Sequence, residues 1–449
     1  MAVIGGGVVG CAVARRLALA GLATVLLERG RDILAGASKA NSAILHTGFD
    51  APPDSLELAC MREGYGEYLA IRERLGLPLL ATGAVVIAWS EADLARLGVI
   101  EAQARGNGVA DVRRLDRAQI LAREPRLSPD CLGGVLIPGE HVIDPWSAPL
   151  AYLQQAAAHG ATVRFDAEVT GGAFVSGSWN LATAAGQVSA GWVINCAGLF
   201  GDLLEERLLG DAAMQIRPRK GQFVVFDKPA AALLRTTVLP VPGERTKGVV
   251  LVRTIFGNLL VGPTAEEQDD RERATVEHGT LRSLIERAVA MLPALADVPV
   301  TATYAGLRPA TERKEYRLRL EPDRHWLTIG GIRSTGLTAA LGLAAHAARL
   351  LGLEVREPRS WPQLPNLADD RLRDWQRPDH GGIVCHCELV TRREIEAALS
   401  GPLPARDLGG LKRRTRAAMG RCQGFYCGAE LARLTEGRLA VPLAVASRG

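Results

Sequence analysis

Apolar and polar positions form clear blocks over the first 28 residues of the chain, and the blocks predict a strand, a turn, a helix and a second strand. Residues 2–4 are apolar and run into glycines. A segment with small apolar residues on one face extends from Gly10 to Leu19, Gly21 ends it, and a second apolar run leads to Glu28. This order predicts a βαβ unit, the opening of a doubly wound parallel sheet.

The pattern changes near Leu77 and later returns, which predicts a second domain inserted into the first. Short apolar runs replace the helical pattern there, and residues 215–265 are rich in apolar runs of strand length. We therefore expect a discontinuous α/β Rossmann-type domain and an α+β domain built on an antiparallel sheet. The predicted division is 1–76, 145–212 and 323–355 for the first domain, 77–144 and 213–322 for the second, 356–380 for a linker, and 381–449 for a small α-rich domain.

Composition narrows the functional classes. The 449 residues are 47% hydrophobic and 23% charged, as in globular proteins, and the net charge of +4 gives no reason to expect a nucleic-acid partner. No apolar run reaches the roughly 20 residues of a membrane-spanning helix, and Arg15 and Arg16 interrupt the apolar start of the chain. We expect a cytoplasmic protein without a targeting segment, and peripheral association with a membrane stays open.

The first turn carries the sequence GxGxxG, formed by Gly5, Gly7 and Gly10. In such a motif the first glycine permits a tight turn, the second lets the backbone approach a pyrophosphate, and the third lets helix and strand pack closely. Glu28 ends the second predicted strand, where an acid can bind a ribose hydroxyl and disfavours a 2′-phosphate. Together these features predict a dinucleotide site for FAD or NAD.

The last 65 residues hold half of the cysteines of the chain. Cys385 and Cys387 form a CxC pair, and Cys422 and Cys427 form a Cx4C pair, whereas Cys11, Cys60, Cys131 and Cys196 are scattered. Four thiolates are what a [2Fe–2S] cluster needs, and the CxxC pairs typical of zinc, the main alternative, are missing. A second redox centre favours FAD over NAD, because a flavin can release two electrons singly.

Several blocks resemble the D-amino-acid-oxidase-like flavoproteins, in the branch of glycerol-3-phosphate dehydrogenases and oxidases and of L-2-hydroxyglutarate oxidases. The blocks are ASKANSAILHTGFD, NCAGLFGD, RPRKGQF, YAGLRPA and GIRSTGLTAA. The resemblance implies FAD contacts from three segments. Their residues are Ser38, Lys39, Asn41 and Ser42, then Asn195, Ala197 and Gly198, then Gly331, Ser334, Thr335, Gly336, Leu337 and Thr338.

The same resemblance implies the reacting groups. His46 is expected to be the general base, with a structural histidine as the equally weighted alternative, and imidazole suits the role because it titrates near working pH. Arg308 and Arg333 are expected to bind an anionic substrate, with Lys220 and Lys247 as weaker candidates.

The C-terminal blocks VCHCELVTRREIEAAL and LKRRTRAAMGRCQGFYC resemble bacterioferritin-associated ferredoxins, and the module follows the flavin domain in anaerobic-type glycerol-3-phosphate dehydrogenases. The resemblance implies a [2Fe–2S] cluster held by the four cysteines, without His386. Lys412, Arg413, Arg414 and Arg416 either offset the charge of the cluster or form a solvated helix face.

The expected function is an FAD-dependent dehydrogenase of a small anionic 2-hydroxy compound, either glycerol 3-phosphate or a 2-hydroxy acid such as L-2-hydroxyglutarate. Electrons would leave through the cluster to a protein acceptor or to partner subunits. Two alternatives stay open: an amino-acid or imino-acid dehydrogenase, and an electron-transferring subunit of a larger flavoprotein complex.

Overall fold

The computed structural model describes residues 1–243 and 248–444. The strands are β1 (Ala2–Ile4), β2 (Val25–Leu27), β3 (Ile44–Leu45), β4 (Leu79–Leu80), β5 (Ala84–Ala88), β6 (Arg113–Asp116), β7 (Gly133–Ile137), β8 (His141–Ile143), β9 (Thr162–Arg164), β10 (Val169–Val175), β11 (Ser178–Thr183), β12 (Gly186–Ala190), β13 (Val193–Asn195), β14 (Ile216–Phe226), β15 (Thr237–Pro240), β16 (Val250–Arg253), β17 (Leu259–Gly262), β18 (Glu266–Glu267), β19 (Val300–Thr311), β20 (Arg317–Glu321), β21 (Trp326–Gly330), β22 (Ile383–Cys385) and β23 (Val390–Thr391). The helices are α1 (Val8–Leu19), α2 (Leu56–Ile71), α3 (Glu91–Gly106), α4 (Arg117–Arg123), α5 (Ser147–Ala158), α6 (Gly201–Leu209), α7 (His278–Met291), α8 (Gly336–Leu350), α9 (Arg392–Ser400), α10 (Leu408–Thr415) and α11 (Gly428–Thr435).

The first sheet is the predicted doubly wound sheet, with the order β20-β21-β13-β1-β2-β9. All neighbours are parallel except the edge strand β20, which is antiparallel to β21. In β1, Val3 belongs to the core shared with α1, α5 and α8, whereas Ala2 and Ile4 belong to the core on the other face. Because both faces are covered, β1 is apolar throughout. The carboxyl ends of β1, β2 and β13 meet at one edge, where ligands bind in this architecture.

The strand β20 differs from the predicted division of the chain, which placed residues 213–322 in the second domain. Residues Arg317–Glu321 pair with Trp326–Gly330 in the first sheet. Leu318 and Leu320 pack against the core of the first domain. The alternation of charged and apolar residues in this strand fits the edge of either sheet, so the pattern alone could not assign it.

The second sheet, predicted as antiparallel, has the order β18-β14-β17-β16-β15-β5-β7-β6 with β19 paired to β14, and its pair β15–β5 is parallel. The pairing of β14 with β19 runs from Ile216↔Thr311 to Phe226↔Val300 and sets Arg219 opposite Arg308. Helices α3, α4 and α7 contact strands of this sheet. The long β14–β19 ribbon contacts the first domain at the short 3₁₀ turns of residues 37–39 and 198–200.

The C-terminal module contains β22, β23 and helices α9–α11 around a small core that includes Val390, Ile395 and Leu411. Thr391 opens α9 with a capping box that it shares with Glu394. The preceding segment contacts both larger domains, because Leu364 N donates to Leu75 O at 3.1 Å and Asp369 N donates to Ile255 O at 2.9 Å. The predicted fold class, with its small α-rich third unit, is confirmed.

Candidate functional site

The glycine turn after β1 brings strand, helix and loop into close contact. Gly5 has a φ of +108°, and a Cβ there would lie 2.5 Å from a carbonyl oxygen at the end of β13. A Cβ on Gly10 would lie 1.9 Å from the carbonyl oxygen of Gly5. Gly7 precedes α1 without a side-chain cap, and Val8 N donates to Ser38 Oγ at 3.1 Å. The first turn of the helix therefore presents backbone amides, which suit a pyrophosphate.

Glu28 lies at the carboxyl end of β2, as the sequence predicts. Its two carboxylate oxygens accept hydrogen bonds from Gly6 N at 2.6 Å and from Gly30 N at 2.7 Å. The side chain is buried and lines the same cavity as the glycine turn. Two amide donors fix the acid where a ribose would bind.

A cavity of about 910 Å³ extends from the glycine turn to the second sheet. This volume lies in the range of pockets that hold small molecules and cofactors. The predicted cofactor residues that line it are Gly5, Gly7, Glu28, Ser38, Asn41, Ser42, Ala197, Gly198, Ser334, Gly336 and Leu337. His46, Arg308 and Arg333 line the same cavity, so one space joins the predicted cofactor site to the predicted reacting groups.

The other predicted cofactor residues do not line the cavity, and three of them form hydrogen bonds in the loops beside it. Asn195 Oδ1 accepts from Ala197 N at 3.1 Å, and Lys39 O accepts from Trp146 Nε1 at 3.1 Å. Thr335 Oγ1 donates to Glu57 Oε1 at 2.7 Å. Their positions fit a supporting role. Gly10, Gly331 and Thr338 complete this group.

His46 is held from both sides. Its backbone N donates to Thr338 Oγ1 at 2.9 Å, and its Nδ1 lies 2.7 Å from Glu140 Oε2. The other carboxylate oxygen of Glu140 accepts from Thr47 N at 2.6 Å and from Thr47 Oγ1 at 2.8 Å. Sequence reasoning missed Glu140, because a single acid in the turn between β7 and β8 carries no motif.

Two arginines that line the cavity form no ion pair among the described residues. In the described residues no carboxylate lies within ion-pair distance of Arg308 or Arg333, and the guanidinium of Arg308 donates only to Thr264 O, at 3.2 and 3.3 Å. Burial lowers the pKa of Arg308 to about 10 and also lowers the pKa of Arg333. A bound anion would supply an ion-pair partner for both side chains, as the prediction of an anionic substrate requires.

In the described part of the chain, neither Lys220 nor Lys247, the weaker candidates for binding an anionic substrate, is seen as an unpaired charge in the cavity. Lys220 is buried and forms ion pairs with Glu277 and, at 3.1 Å, with Glu266 Oε2. The hydrogen bond to Glu277 is the main cause that raises the pKa of Lys220. Its charge is therefore already matched within the protein. Lys247 lies outside the described residues.

The four C-terminal cysteines approach one another as two pairs. The thiols of Cys387 and Cys422 are in hydrogen-bond contact, as are those of Cys385 and Cys427. Over the described ranges, no three His, Cys, Asp or Glu side chains are grouped for a single metal ion. Two pairs of thiols suit a two-iron cluster, in which four cysteines serve two irons.

The loop between Cys422 and Cys427 favours a thiolate. Backbone amides of Tyr426, Gly424 and Phe425 bond to the sulfur of Cys422, and the bond from Tyr426 is the main cause that lowers the pKa of that thiol. Amide donors to sulfur also stabilise an anionic cluster. The donor set and its surroundings therefore fit the predicted group.

The basic residues of α10 and its C-cap do not form a solvated helix face, which is one of the two alternatives that the sequence leaves open. Arg414 forms a forked ion pair with the buried Asp32, at 2.8 and 2.9 Å. Arg413 donates to Ile33 O at 2.9 Å. Arg416 Nε donates to Glu388 Oε2 at 2.8 Å. Most of these charges therefore attach the module to its surroundings or brace its interior.

Burial also affects Lys412. It lowers the pKa of this lysine, and the neighbouring Cys427 opposes the shift. Lys412 is thus the member of the basic group that lies near a predicted cluster cysteine, as the other alternative requires.

The class that this arrangement defines is a dinucleotide-dependent oxidoreductase fused to a cysteine-ligated cluster module. The chain belongs to the FAD dependent oxidoreductase family, which it matches over residues 1–350. Residues 383–436 match the BFD-like [2Fe-2S] binding domain.

Three relatives locate the chain within the family. It is 30% identical to a glycerol 3-phosphate dehydrogenase of Caloramator mitchellensis, over 99% of this chain and 95% of the relative. It is 27% identical to an anaerobic glycerol-3-phosphate dehydrogenase subunit of Escherichia coli K12, over 97% and 87%. The FAD-bound L-alpha-glycerophosphate oxidase from Mycoplasma pneumoniae matches with a TM-score of 0.74 and 27% identity, over 80% of this chain and 96% of that one.

These matches confirm the predicted family branch, FAD and the [2Fe–2S] cluster as cofactors, and an enzyme of the oxidoreductase class. No helix in the described part of the chain is long and apolar enough to cross a membrane. The individual roles of the site residues stay predictions.

Proposed function

We propose that this protein oxidises glycerol 3-phosphate at C2 to dihydroxyacetone phosphate. The observation that carries the proposal is the pair of partly buried arginines, Arg308 and Arg333, which form no ion pair among the described residues and share one cavity with His46. Similarity to glycerol 3-phosphate dehydrogenases over almost the whole chain supports the same substrate.

Different residues of the site bind the substrate, accept its proton and hold the cofactor. Arg308 and Arg333 bind the phosphate of the substrate, because guanidinium groups pair well with phosphate oxygens. His46 takes the proton of the C2 hydroxyl as general base. A bound FAD would supply the acceptor for the hydride from C2 and hence for two electrons. The loops around Gly7 and Ala197 hold the cofactor against the substrate.

We infer that the electrons leave through the cluster module one at a time. The module is fixed to the flavin domain by the pair of Arg414 with Asp32. Its cysteine loop reaches the surface, where Phe425 and Tyr426 are 83% and 75% exposed. An external carrier or a partner protein can therefore approach the cluster, and we propose such a protein as the acceptor.

The test uses protein loaded with both cofactors and handled without air. It is mixed separately with glycerol 3-phosphate, L-2-hydroxyglutarate and an amino acid, and the flavin and cluster absorbances are followed. We expect glycerol 3-phosphate alone to bleach the flavin band, followed by reduction of the cluster. Bleaching only by another substrate would refute the substrate assignment, and a flavin that reduces while the cluster stays oxidised would refute the electron path.

A further inference from the structure

Glu140 is a buried acid whose hydrogen bonds are directed at the proposed base. It is 0% exposed and lies in the turn between β7 and β8. Among the described residues its ion-pair partner is His46, and no lysine or arginine lies within that distance. A buried carboxylate is costly unless its partners compensate it. Here the compensating donors are Thr47 and the imidazole.

The arrangement around His46 favours one of the two neutral tautomers of its imidazole. Glu140 Oε1 already accepts from Thr47 N and Thr47 Oγ1, so Oε2 is left for Nδ1 of the imidazole. A carboxylate oxygen accepts hydrogen bonds, so the contact at Oε2 fits the tautomer of His46 that carries its proton on Nδ1. In the neutral ring Nε2 then keeps its lone pair, which is free to accept a proton.

We propose that Glu140 is a positioning residue, which holds His46 in the Nδ1–H tautomer so that Nε2 takes the proton of the substrate hydroxyl. This inference rests on the proposed function. As the C2–H bond breaks and its electron pair leaves with the hydride, the O–H proton moves to Nε2 and C2=O forms. Glu140 keeps its hydrogen bond to Nδ1 and so stabilises the imidazolium that forms.

A purely structural role is already filled by other contacts. Leu45 pairs with His141 in the β3–β8 ladder, and Tyr65 donates to Gly139 O at 2.7 Å. The titratable neighbours of Glu140 are Tyr65 and His141 as well as His46. The turn is therefore held without the carboxylate charge, and we expect Glu140→Gln to fold and bind FAD.

The first measurement is the ¹⁵N spectrum of labelled histidine side chains in the FAD-loaded enzyme, with His46→Ala to assign the signals. The wild type should show Nδ1 protonated and Nε2 unprotonated. Glu140→Gln presents an amide N–H to the ring, which should favour the opposite tautomer. Glu140→Asp, which keeps the charge, should restore part of the wild-type signal. The matched control is Glu124→Gln, because Glu124 is also buried and accepts from two backbone amides, those of Arg235 and Thr236.

Kinetics supply the second readout. Glu140→Gln should slow flavin reduction by glycerol 3-phosphate by about 10²- to 10⁴-fold with little change in KM, as when the acid that orients a catalytic histidine is neutralised. In the His46→Ala background it should cost little more, because the two residues act as a unit. Glu124→Gln should leave the rate unchanged.

The proposal is overturned if wild type and Glu140→Gln show the same tautomer, or if the two losses multiply in the double variant. The spectrum needs no substrate. Failure of glycerol 3-phosphate to reduce the wild type would therefore refute the proposed function, while the tautomer would still decide the role of Glu140.

Discussion

Replacing Asp32 with asparagine would measure how firmly the cluster module is held against the flavin domain. Asp32 is fully buried in the loop after β2 and accepts both guanidinium N–H groups of Arg414, at 2.8 and 2.9 Å. It also accepts from Arg406 N at 3.2 Å. The substitution removes the negative charge and leaves the guanidinium in its buried place.

The expected cost is large because the pair is buried. Removing one partner of a buried ion pair costs about 3–5 kcal/mol, since it leaves an uncompensated charge. Arg414 retains hydrogen bonds to Gly410 O and Leu403 O, which favours the lower end of that range. The double variant Asp32→Asn with Arg414→Gln removes both charges, and most of the loss should be recovered.

The assay is native-state hydrogen exchange of the α10 amides, read as the free energy of opening of the module. Asp32→Asn should speed their exchange by about two to three and a half orders of magnitude, given that 1.4 kcal/mol is tenfold. The matched control is Glu63→Gln at the forked pair of Glu63 with Arg349, which has distances of 2.7 and 2.8 Å but is largely exposed. Around that exposed pair we expect the free energy of opening to change by at most about 1 kcal/mol. Equal effects of the two variants, or no recovery in the double variant, would refute the argument from burial.

Three further predictions concern the reacting site and the cluster. His46→Ala should retain FAD but slow its reduction by glycerol 3-phosphate by about 10²- to 10⁴-fold, the usual contribution of a general base; a wild-type rate in stopped flow would exclude that role. Arg308→Met should raise KM for glycerol 3-phosphate by about 10- to 150-fold, since hydrogen bonds to a charged group contribute about 1.5–3 kcal/mol, while turnover of glycerol, which lacks the phosphate, should change little. Cys422→Ser should lower the iron content yet leave bleaching of the flavin by substrate intact, and loss of that bleaching would contradict a cluster placed after the flavin.

Much of the site could be predicted because short stretches of sequence contain the residues that its chemistry requires. The glycine spacing is required because a Cβ at Gly5 or Gly10 would clash with neighbouring backbone atoms. Glu28 follows from its place at the end of the second strand. The four thiols follow from residue type and clustering alone. In each case a few adjacent residues carry the physical requirement.

The partners across the fold could not be predicted in this way. Glu140 is 94 residues from His46, and Arg414 is 382 residues from Asp32. Periodicity shows that an arginine stands on one side of a helix, but not what packs against that side. The basic residues of α10 therefore fitted a solvated face as well as a buried contact, and only the tertiary structure distinguishes the two.

Packing between distant segments also connects the predicted flavin-binding segment at Lys39 to the predicted cluster cysteine Cys387. Trp146 donates to Lys39 O at 3.1 Å and stacks on Phe256, with ring centroids 5.7 Å apart. The guanidinium of Arg416 lies 4.0 Å above Phe256 and also bonds to Glu388, which follows Cys387 directly in the chain. The contacts are continuous from one predicted cofactor segment to a predicted cluster ligand.

This packing holds the cluster module in one position on the flavin domain. One position implies one distance between the flavin and the cluster, and hence one rate for the transfer of an electron between them. We therefore expect cluster reduction, after substrate has reduced the flavin, to follow a single exponential in rapid-mixing absorbance. Asp32→Asn, which weakens the contact between module and flavin domain, should add slower phases to cluster reduction. Several phases in the wild type would mean that the module moves between positions before electrons pass, and would contradict a single fixed position.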